Sequence, residues 1–451
     1  MNEQSNASIS TKEQLQDDCQ IHNEKPPKKH RVRYVALCIA MAVVFFMGGA
    51  LATWFSLDPQ MRSLVRLKNK IDKEYYYPVD DDAFYGAMFG AINNQVLDNY
   101  SQYLTAEEYE QMQLEGQGSR GGLGLSISTA ETESMPLRIV RVTGNSPAEQ
   151  AGIVAGEYVV GLGSSADNIV EMKSFQQFSD ALKTIAENTD LYLSIRNGSS
   201  VRTVCLQKKL YVENYVYYRT QSSAYRFTGN NALEKTPYDG ALPTLPENAA
   251  YIRLTQFNGN VVEQFEYAMP LFKQENKKTL VLDLRQNGGG YLHLLTEIAA
   301  YFCKDGGDRP TVAIADFGES KTYYQATKNL YDKYFSADST IYVLADDGSA
   351  SASEALMGCM LDYGAISYAN VCLVEKDGVA KTYGKGIMQT TYPFGLGKTD
   401  AVKLTTARIV WPKTQTCIHD IGITKNNGTK TVAADDMDET QLQAALAVLF
   451  G

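Results

Sequence analysis

The feature that most restricts the fold of this chain is an apolar stretch near its N-terminus. No charged residue occurs from Tyr34 to Leu57, and about 20 apolar residues are enough to span a bilayer as a helix. A cationic cluster precedes the stretch and comprises Lys25, Lys28, Lys29, Arg31 and Arg33. Because such clusters stay on the cytoplasmic side of a membrane, the pattern predicts a single-pass anchor in the cell membrane over 34–57, with a cytoplasmic N-terminus and an extracytoplasmic remainder.

A cleaved signal peptide is the alternative interpretation of this stretch, with Ala50-Leu51-Ala52 as the cleavage site. The polar leader over residues 1–33 is long for a signal peptide, so we favour an uncleaved anchor. The leader itself is polar and has no apolar periodicity, which predicts a disordered tail.

Composition excludes several classes of function. The net charge is −10, which argues against a nucleic-acid partner because no domain-scale basic surface is implied. The four histidines occur in no H-E-x-x-H or Cys/His cluster, so we expect no metal and no cofactor. Seven cysteines are scattered without a C-x-x-C, five of them beyond the anchor. An odd number argues against a fully paired disulfide framework, although one pair stays open.

The periodicity beyond the anchor predicts a multidomain α/β (α+β) protein. Helical spacing of apolar residues indicates a small helical lobe over 58–117. Strands alternate with helices from residue 251 onward, which predicts βαβ units, a mixed sheet and a terminal helix in a core over 251–451. Residues 211–250 are rich in Tyr, Asn, Gly and Pro, and we interpret them as a connector with hairpins.

One strand-to-helix turn of this core carries three small hydroxyl residues. The apolar run Ile341–Ala345 predicts a buried strand and is followed by Asp347-Gly348-Ser349-Ala350-Ser351-Ala352-Ser353-Glu354 and a helix-compatible segment. A helix N-terminus offers free N–H groups and a positive dipole end, which suit a nucleophile whose attack creates an oxyanion. The spacing from Ser351 to Glu354 also fits a capping box, which is a structural motif that needs no catalytic role for either residue. Local sequence leaves both interpretations open.

Two further motifs accompany this turn. They are Asp283-Leu284-Arg285-Gln286-Asn287-Gly288-Gly289-Gly290 upstream and Thr382-Tyr383-Gly384-Lys385-Gly386-Ile387-Met388-Gln389 downstream. In this order the three motifs resemble the C-terminal processing peptidases, or tail-specific proteases, which are serine proteases with a Ser/Lys dyad. The resemblance implies Ser351 as nucleophile, Lys385 as general base and Gln389 as its support. It also implies an oxyanion hole made by the amides of Gly289 and Ser351.

Residues 118–210 resemble the PDZ domain of the same family. A glycine-rich turn, Gly122-Leu123-Gly124-Leu125, enters an alternating strand, and an amphipathic helix begins near Ser174. In a PDZ domain such a turn presents backbone N–H groups to the terminal carboxylate of a peptide, which adds as a strand. The alternative is that Leu123 and Leu125 only fill the core.

The resemblance therefore implies a membrane-anchored serine endopeptidase that recognises free C-termini of protein substrates and forms an acyl-enzyme. It leaves open a homo-oligomer or an adaptor protein as further partners. The other nucleophile–base arrangements are weaker, because His293 and His419 lack a recognisable triad setting and Lys381 lies outside the motif. The runner-up is a catalytically silent PDZ scaffold that binds peptide tails.

Overall fold

We describe a computed structural model of the chain, which covers residues 28–128, 137–228, 233–433 and 438–451. The tail predicted over residues 1–33 lies mostly outside these ranges. The chain divides into two units, Met1–Met88 and Phe89–Gly451, and each is described by itself.

The first unit is helical. Its helices are α1 (Lys28–Ser56), α2 (Pro59–Glu74) and the first half of α3 (Asp81–Gln95). Within α1, the segment Arg33–Ser56 has a mean hydropathy of 2.5 and is not buried in the protein. It is the helix in the described residues that is long and apolar enough to cross a membrane, as an anchor or as a signal sequence. Asp58 caps α2 by accepting a hydrogen bond from the Gln60 N–H (2.7 Å).

The second unit begins with a short segment that joins the large α/β core. Its elements are β1 (Gln102–Leu104) and α4 (Ala106–Gly116). Thr105 and Glu108 form a capping box at the start of α4. Strand β1 does not belong to a separate lobe, because it pairs antiparallel with a strand near the end of the chain, Gln102 opposite Lys403.

A small β-subdomain follows over residues 119–212. Its elements are β2 (Ser119–Gly122), β3 (Leu125–Ile127), β4 (Ile139–Val142), α5 (Pro147–Gln150), β5 (Tyr158–Ser165), β6 (Asn168–Glu171), α6 (Phe175–Lys183), β7 (Asp190–Asn197), β8 (Ser200–Gln207) and β9 (Lys209–Val212). It has an apolar cluster of its own, in which Leu123, Ile139 and Phe178 are buried. A separate core is what allows such a segment to fold as its own body.

The large sheet contains eight strands in the order β12-β11-β10-β13-β14-β17-β18-β21. The elements of this part are β10 (Val216–Arg219), β11 (Ala224–Thr228), β12 (Glu234–Pro237), β13 (Ala249–Leu254), α7 (Val261–Gln274), β14 (Thr279–Asp283), α8 (Leu292–Ala299), β15 (Thr311–Asp316), β16 (Lys321–Gln325), α9 (Tyr331–Tyr334), β17 (Thr340–Ala345), α10 (Ala352–Asp362), β18 (Val371–Glu375), β19 (Ile387–Pro393), β20 (Ala401–Val410), β21 (Lys430–Ala433) and α11 (Asp438–Phe450). Strands β13, β14, β17, β18 and β21 run parallel, which confirms the predicted mixed sheet with helical crossovers.

Residues 211–250, interpreted from the sequence as a connector with hairpins, contribute strands to the large sheet. Three strands of this segment extend the large sheet by antiparallel pairing, from β12 through β11 to β10, which pairs with β13. Tyr218 and Phe227 are fully buried in the main apolar cluster. The tyrosines of this segment include strand residues of the core, because alternate positions of a strand face the helices that cover the sheet.

A second, antiparallel sheet has the order β1-β20-β15-β16, with β19 also paired to β20. The six cysteines in the described ranges are free thiols. Cys303 and Cys359 come closest, with their Sγ atoms 3.4 Å apart in the main core.

Candidate active site

The turn that carries the three serines, residues 347–354, is called the serine turn and follows the end of β17. Parallel strands present their carboxyl ends at one edge, where sites in open α/β sheets form, and the loop after β14 reaches the same edge. The buried Asp346 carboxylate joins the two loops by accepting hydrogen bonds from the Gln286 N–H (2.9 Å) and the Gly348 N–H (3.0 Å). Behind them, Arg285 and Asp283 form a fully buried ion pair of 2.6 Å.

Ser351 differs from its two neighbouring serines. Ser349 Oγ donates to the Leu284 carbonyl and Ser353 Oγ to the Asn287 carbonyl, each at 2.8 Å, and both side chains are fully buried. Ser351 is half-buried and begins α10 with φ 57° and ψ −112°. A non-glycine residue in this region of backbone space carries strain, and strained residues concentrate at functional sites. Of the three serines, Ser351 has the accessible hydroxyl.

The glycine loop after β14 packs directly on this serine. A Cβ atom at Gly289, whose φ is +98°, would lie 2.7 Å from the Ser351 Cβ and 2.8 Å from the Ala350 carbonyl oxygen. Both the positive φ and the lack of space require glycine there. Gly289 is fixed from the other side, because its carbonyl accepts a hydrogen bond from the Phe257 N–H (2.9 Å).

The two amides expected to form an oxyanion hole are already engaged. The Gly289 N–H donates to Asn287 Oδ1 (3.0 Å) and the Ser351 N–H donates to Glu354 Oε2 (2.9 Å). The glutamate of the capping box therefore holds the Ser351 N–H. The Ala352 N–H, in the first turn of α10, has no acceptor among the described residues, and its nitrogen would lie 2.8 Å from a Cβ at Gly289.

Sequence reasoning missed the second role of Glu354. It joins the serine turn to the loop over residues 382–386 that carries Lys385. Its buried carboxylate accepts four hydrogen bonds, from the Ser351 N–H (2.9 Å), the Thr382 hydroxyl (2.6 Å), the Gly384 N–H (2.7 Å) and the Lys385 N–H (2.9 Å). Burial raises the pKa of Glu354, and these hydrogen bonds oppose the shift. The capping-box spacing was the available signal, but the residues that close the network lie about thirty positions away in the chain.

Substituting Glu354→Gln tests this connection. An amide places an N–H₂ group where the carboxylate accepts backbone N–H groups, so at least one buried donor loses its acceptor. We expect the free energy of unfolding to fall by about 1–3 kcal/mol, measured by denaturant titration. Glu319→Gln, at an exposed position, is the control and should change it by no more than about 0.5 kcal/mol. Equal stability of the two variants would contradict the role of Glu354.

Lys385 is half-buried beside this network. Burial lowers the pKa of Lys385 below its ordinary value, and the nearby Lys403 ammonium adds to the shift. Its Nζ lies 5.2 Å from the centre of the Tyr100 ring and donates no hydrogen bond to any described residue, Ser351 included. A buried amine without an acceptor is chemically suited to lose its proton.

Among the hydrogen bonds of the described residues, none joins Gln389 to Lys385. Its Nε2 donates instead to Thr405 Oγ1 on the neighbouring strand β20 (3.1 Å). The other candidate bases are placed differently: His293 is exposed, and Lys381 pairs through its backbone with Thr424. His419 lies near Tyr100, with ring centroids 6.4 Å apart.

The glycine-rich turn of the small β-subdomain has its carbonyls directed inward. The Leu123 carbonyl accepts from the Ala148 N–H (3.0 Å) and the Gly124 carbonyl from the Thr143 N–H (2.8 Å). The N–H groups of Leu123 and Gly124 have no acceptor within the described ranges. Successive free amides make an anion-binding concavity. The Leu123 side chain is buried and the Leu125 side chain half-buried, so both also fill the core.

Several known proteins are similar to this chain in sequence. Residues 248–427 match peptidase family S41. A protein named "Probable CtpA-like serine protease" from Staphylococcus epidermidis is 25% identical over 337 residues, which cover 72% of this chain and 57% of that protein. "Carboxyl-terminal-processing peptidase 3, chloroplastic" from Arabidopsis thaliana is 26% identical over 342 residues, or 75% of this chain and 58% of its own length. The match thus spans somewhat more than half of each relative.

A solved structure of an S41 protease from Bacteroides fragilis shares the fold. It superposes with a TM-score of 0.52 at 15% sequence identity and covers 83% of this chain and 91% of its own. At this identity the likeness concerns the fold alone.

Proposed function

We propose that this chain, whose residues 248–427 match peptidase family S41, is a serine endopeptidase of that family that processes protein C-termini. The observation that carries the proposal is Ser351: an accessible hydroxyl on strained backbone at a helix N-terminus, packed on Gly289 and tied by Glu354 to the loop of a buried lysine. Nucleophile, base and oxyanion donors are the parts that acyl transfer requires.

In the proposed reaction, neutral Lys385 accepts the proton of Ser351 Oγ as this oxygen attacks the substrate carbonyl carbon. The resulting ammonium gives the proton to the departing amine, and an acyl-enzyme remains. Water, deprotonated by the same lysine, then attacks the ester carbonyl. The bond from the acyl group to Ser351 Oγ breaks, and the lysine ammonium returns the proton to Ser351 Oγ. Gln389 supports the lysine indirectly, through Thr405 on β20.

The Ala352 N–H is the better oxyanion donor than the Ser351 N–H, which Glu354 occupies. Gly289 can contribute only when its N–H leaves Asn287 Oδ1. Lys385 must also turn toward Ser351 before it can take the proton. These two movements separate the arrangement seen here from the reacting one, as is common in substrate-free sites.

The small β-subdomain serves, in this proposal, as a PDZ domain that binds the substrate's terminal carboxylate. The free N–H groups of Leu123 and Gly124 support this role, because backbone amides at such a turn receive a C-terminal carboxylate.

The test is digestion of a protein with an apolar, unstructured C-terminus, compared with the same protein amidated at its C-terminus. Amidation removes the charge that the turn receives, so we expect cleavage of the amidated protein to be at least about tenfold slower at low substrate concentration, a loss of about 1.4 kcal/mol. Equal cleavage of both proteins would exclude C-terminal recognition. No cleavage of either, with Ser351 unlabelled by serine-directed probes, would favour the silent scaffold.

We further propose that α1 anchors the enzyme in the cell membrane, with the catalytic part outside the cytoplasm. The apolar segment Arg33–Ser56 and the cationic residues before it support this orientation. A protease added to intact cells should digest the chain beyond Leu57 and leave an N-terminal epitope tag intact. Loss of the tag under these conditions would reverse the orientation.

A further inference from the structure

The Tyr100 ring is the contact that Lys385 Nζ makes in place of a hydrogen bond. Nζ lies 5.2 Å from the ring centroid, within the range of cation–π attraction. Among the described residues it has neither a hydrogen-bond acceptor nor an ion-pair partner. A protonated Lys385 is therefore stabilised locally by the face of this ring.

Tyr100 comes from a distant part of the sequence and is held beside Lys385 by hydrogen bonds. Its N–H donates to Asp98 Oδ1 (2.9 Å), and its hydroxyl lies 3.4 Å from the Tyr383 hydroxyl. The next residue, Ser101, accepts a hydrogen bond from the Thr405 N–H (2.8 Å), which leads into the pairing of β1 with β20. The segment that carries the Tyr100 ring is thus attached to β20, the strand to which Gln389 also hydrogen-bonds.

The charged groups around Lys385 have opposite effects on its pKa. Lys403, on β20, opposes its protonation, whereas Glu354 on α10 and Asp98 before β1 favour it. Tyr383 and His419 border the Tyr100 ring. The negative charge of Asp420 opposes ionisation of the Tyr100 phenol and so raises its pKa. Burial raises the pKa of Tyr100, so its hydroxyl stays neutral. The ring acts through its π face, which attracts only the charged form of the lysine.

We propose that Tyr100 is a positioning residue that holds Lys385 while the amine is protonated and releases it toward Ser351 when the proton is lost. This inference rests on the proposed function, in which Lys385 is the base. Proton loss removes the attraction to the ring at the moment when the amine becomes able to accept the serine proton. The ring therefore sets both the location and the protonation equilibrium of the base.

The test measures the protonation of Lys385 directly, without relying on activity. The full-length protein in detergent is acetylated briefly with acetic anhydride across a range of pH, and the modification of the Lys385 peptide is quantified by mass spectrometry. Tyr100→Phe keeps the ring, Tyr100→Leu keeps apolar volume without a π face, and Tyr100→Trp supplies the strongest π face. Tyr323→Leu, at an exposed tyrosine of β16, is the control.

We expect the pKa of Lys385 to fall by about half a unit in Tyr100→Leu, to stay unchanged in Tyr100→Phe and in the control, and to rise in Tyr100→Trp. The pH midpoint of kcat/KM should shift in the same order. The same pKa in all variants would overturn the proposal. So would a higher value in Tyr100→Leu, which would mean that the ring only excludes water.

The two proposals fail in distinguishable ways. If the wild-type protein cleaves no substrate, the proposed function fails, whereas the acetylation series still decides whether Tyr100 holds the ammonium. If Tyr100→Leu does not fold, the comparison of Tyr100→Phe with Tyr100→Trp decides the question, because both retain a ring and differ in the strength of its π face. An unchanged pKa in that pair would overturn the role of Tyr100.

Discussion

Ser351→Ala should abolish covalent labelling by a serine-directed fluorophosphonate and remove nearly all turnover, while the protein still folds. The hydroxyl is half-buried and donates to no described residue, so its loss removes the nucleophile and at most one capping contact with the Glu354 N–H. The label should map by peptide mass to Ser351. Turnover should fall by several orders of magnitude, the scale seen when a catalytic nucleophile is removed.

Ser349→Ala and Ser353→Ala are the matched controls. Both hydroxyls are buried and donate to backbone carbonyls, so each variant should keep the label and lose about 1 kcal/mol of stability. The capping interpretation makes the opposite forecast for Ser351→Ala, namely a loss of about 0.5–2 kcal/mol with the chemistry intact. A label on Ser349 or Ser353, with Ser351→Ala still active, would overturn the assignment of the nucleophile.

The mixed sheet was predictable because its strands β13, β14 and β17 are continuous apolar runs separated by helical segments. The strands over 216–237 were expected only as hairpins of a connector, because their tyrosines and polar residues do not look like a buried run. Only the pairing of β10 with β13 reveals their place in the large sheet. Long-range pairing of this kind has no local signature. Strand β1 was missed for the same reason, since its partner β20 lies some three hundred residues away.

The candidate site shows the same division between local and long-range information. Ser351, Gly289 and Lys385 were predicted from motifs, each of which is short and local. Their hydrogen bonds were not predictable, since the position of a buried carboxylate decides which amides are free. Glu354 occupies the Ser351 amide, whereas the Ala352 amide has no acceptor among the described residues. Likewise, only the fold brings Tyr100 onto Lys385.

Lys385→Arg should be as inactive as Lys385→Ala, although it preserves the positive charge. A guanidinium cannot lose its proton in a protein, so it cannot accept one from Ser351. In the wild-type enzyme kcat/KM should rise with pH, because only the neutral amine is a base. Burial lowers the pKa of Lys385 below 10.5. The rise in kcat/KM is therefore centred below that value and levels off above the pKa that Lys385 has in the folded protein.

The measurement is the pH profile of kcat/KM for one substrate, with Lys381→Arg as the control. Lys381 belongs to the same loop, but its backbone pairs with Thr424, so its variant should follow the wild-type profile. Substantial activity in Lys385→Arg would exclude a general-base role for this residue and return attention to His419, which lies near the same ring. A profile centred near 6.5 would point to histidine, because that is the ordinary pKa of an imidazole. The pH at which the rate rises therefore identifies the base independently of the variants.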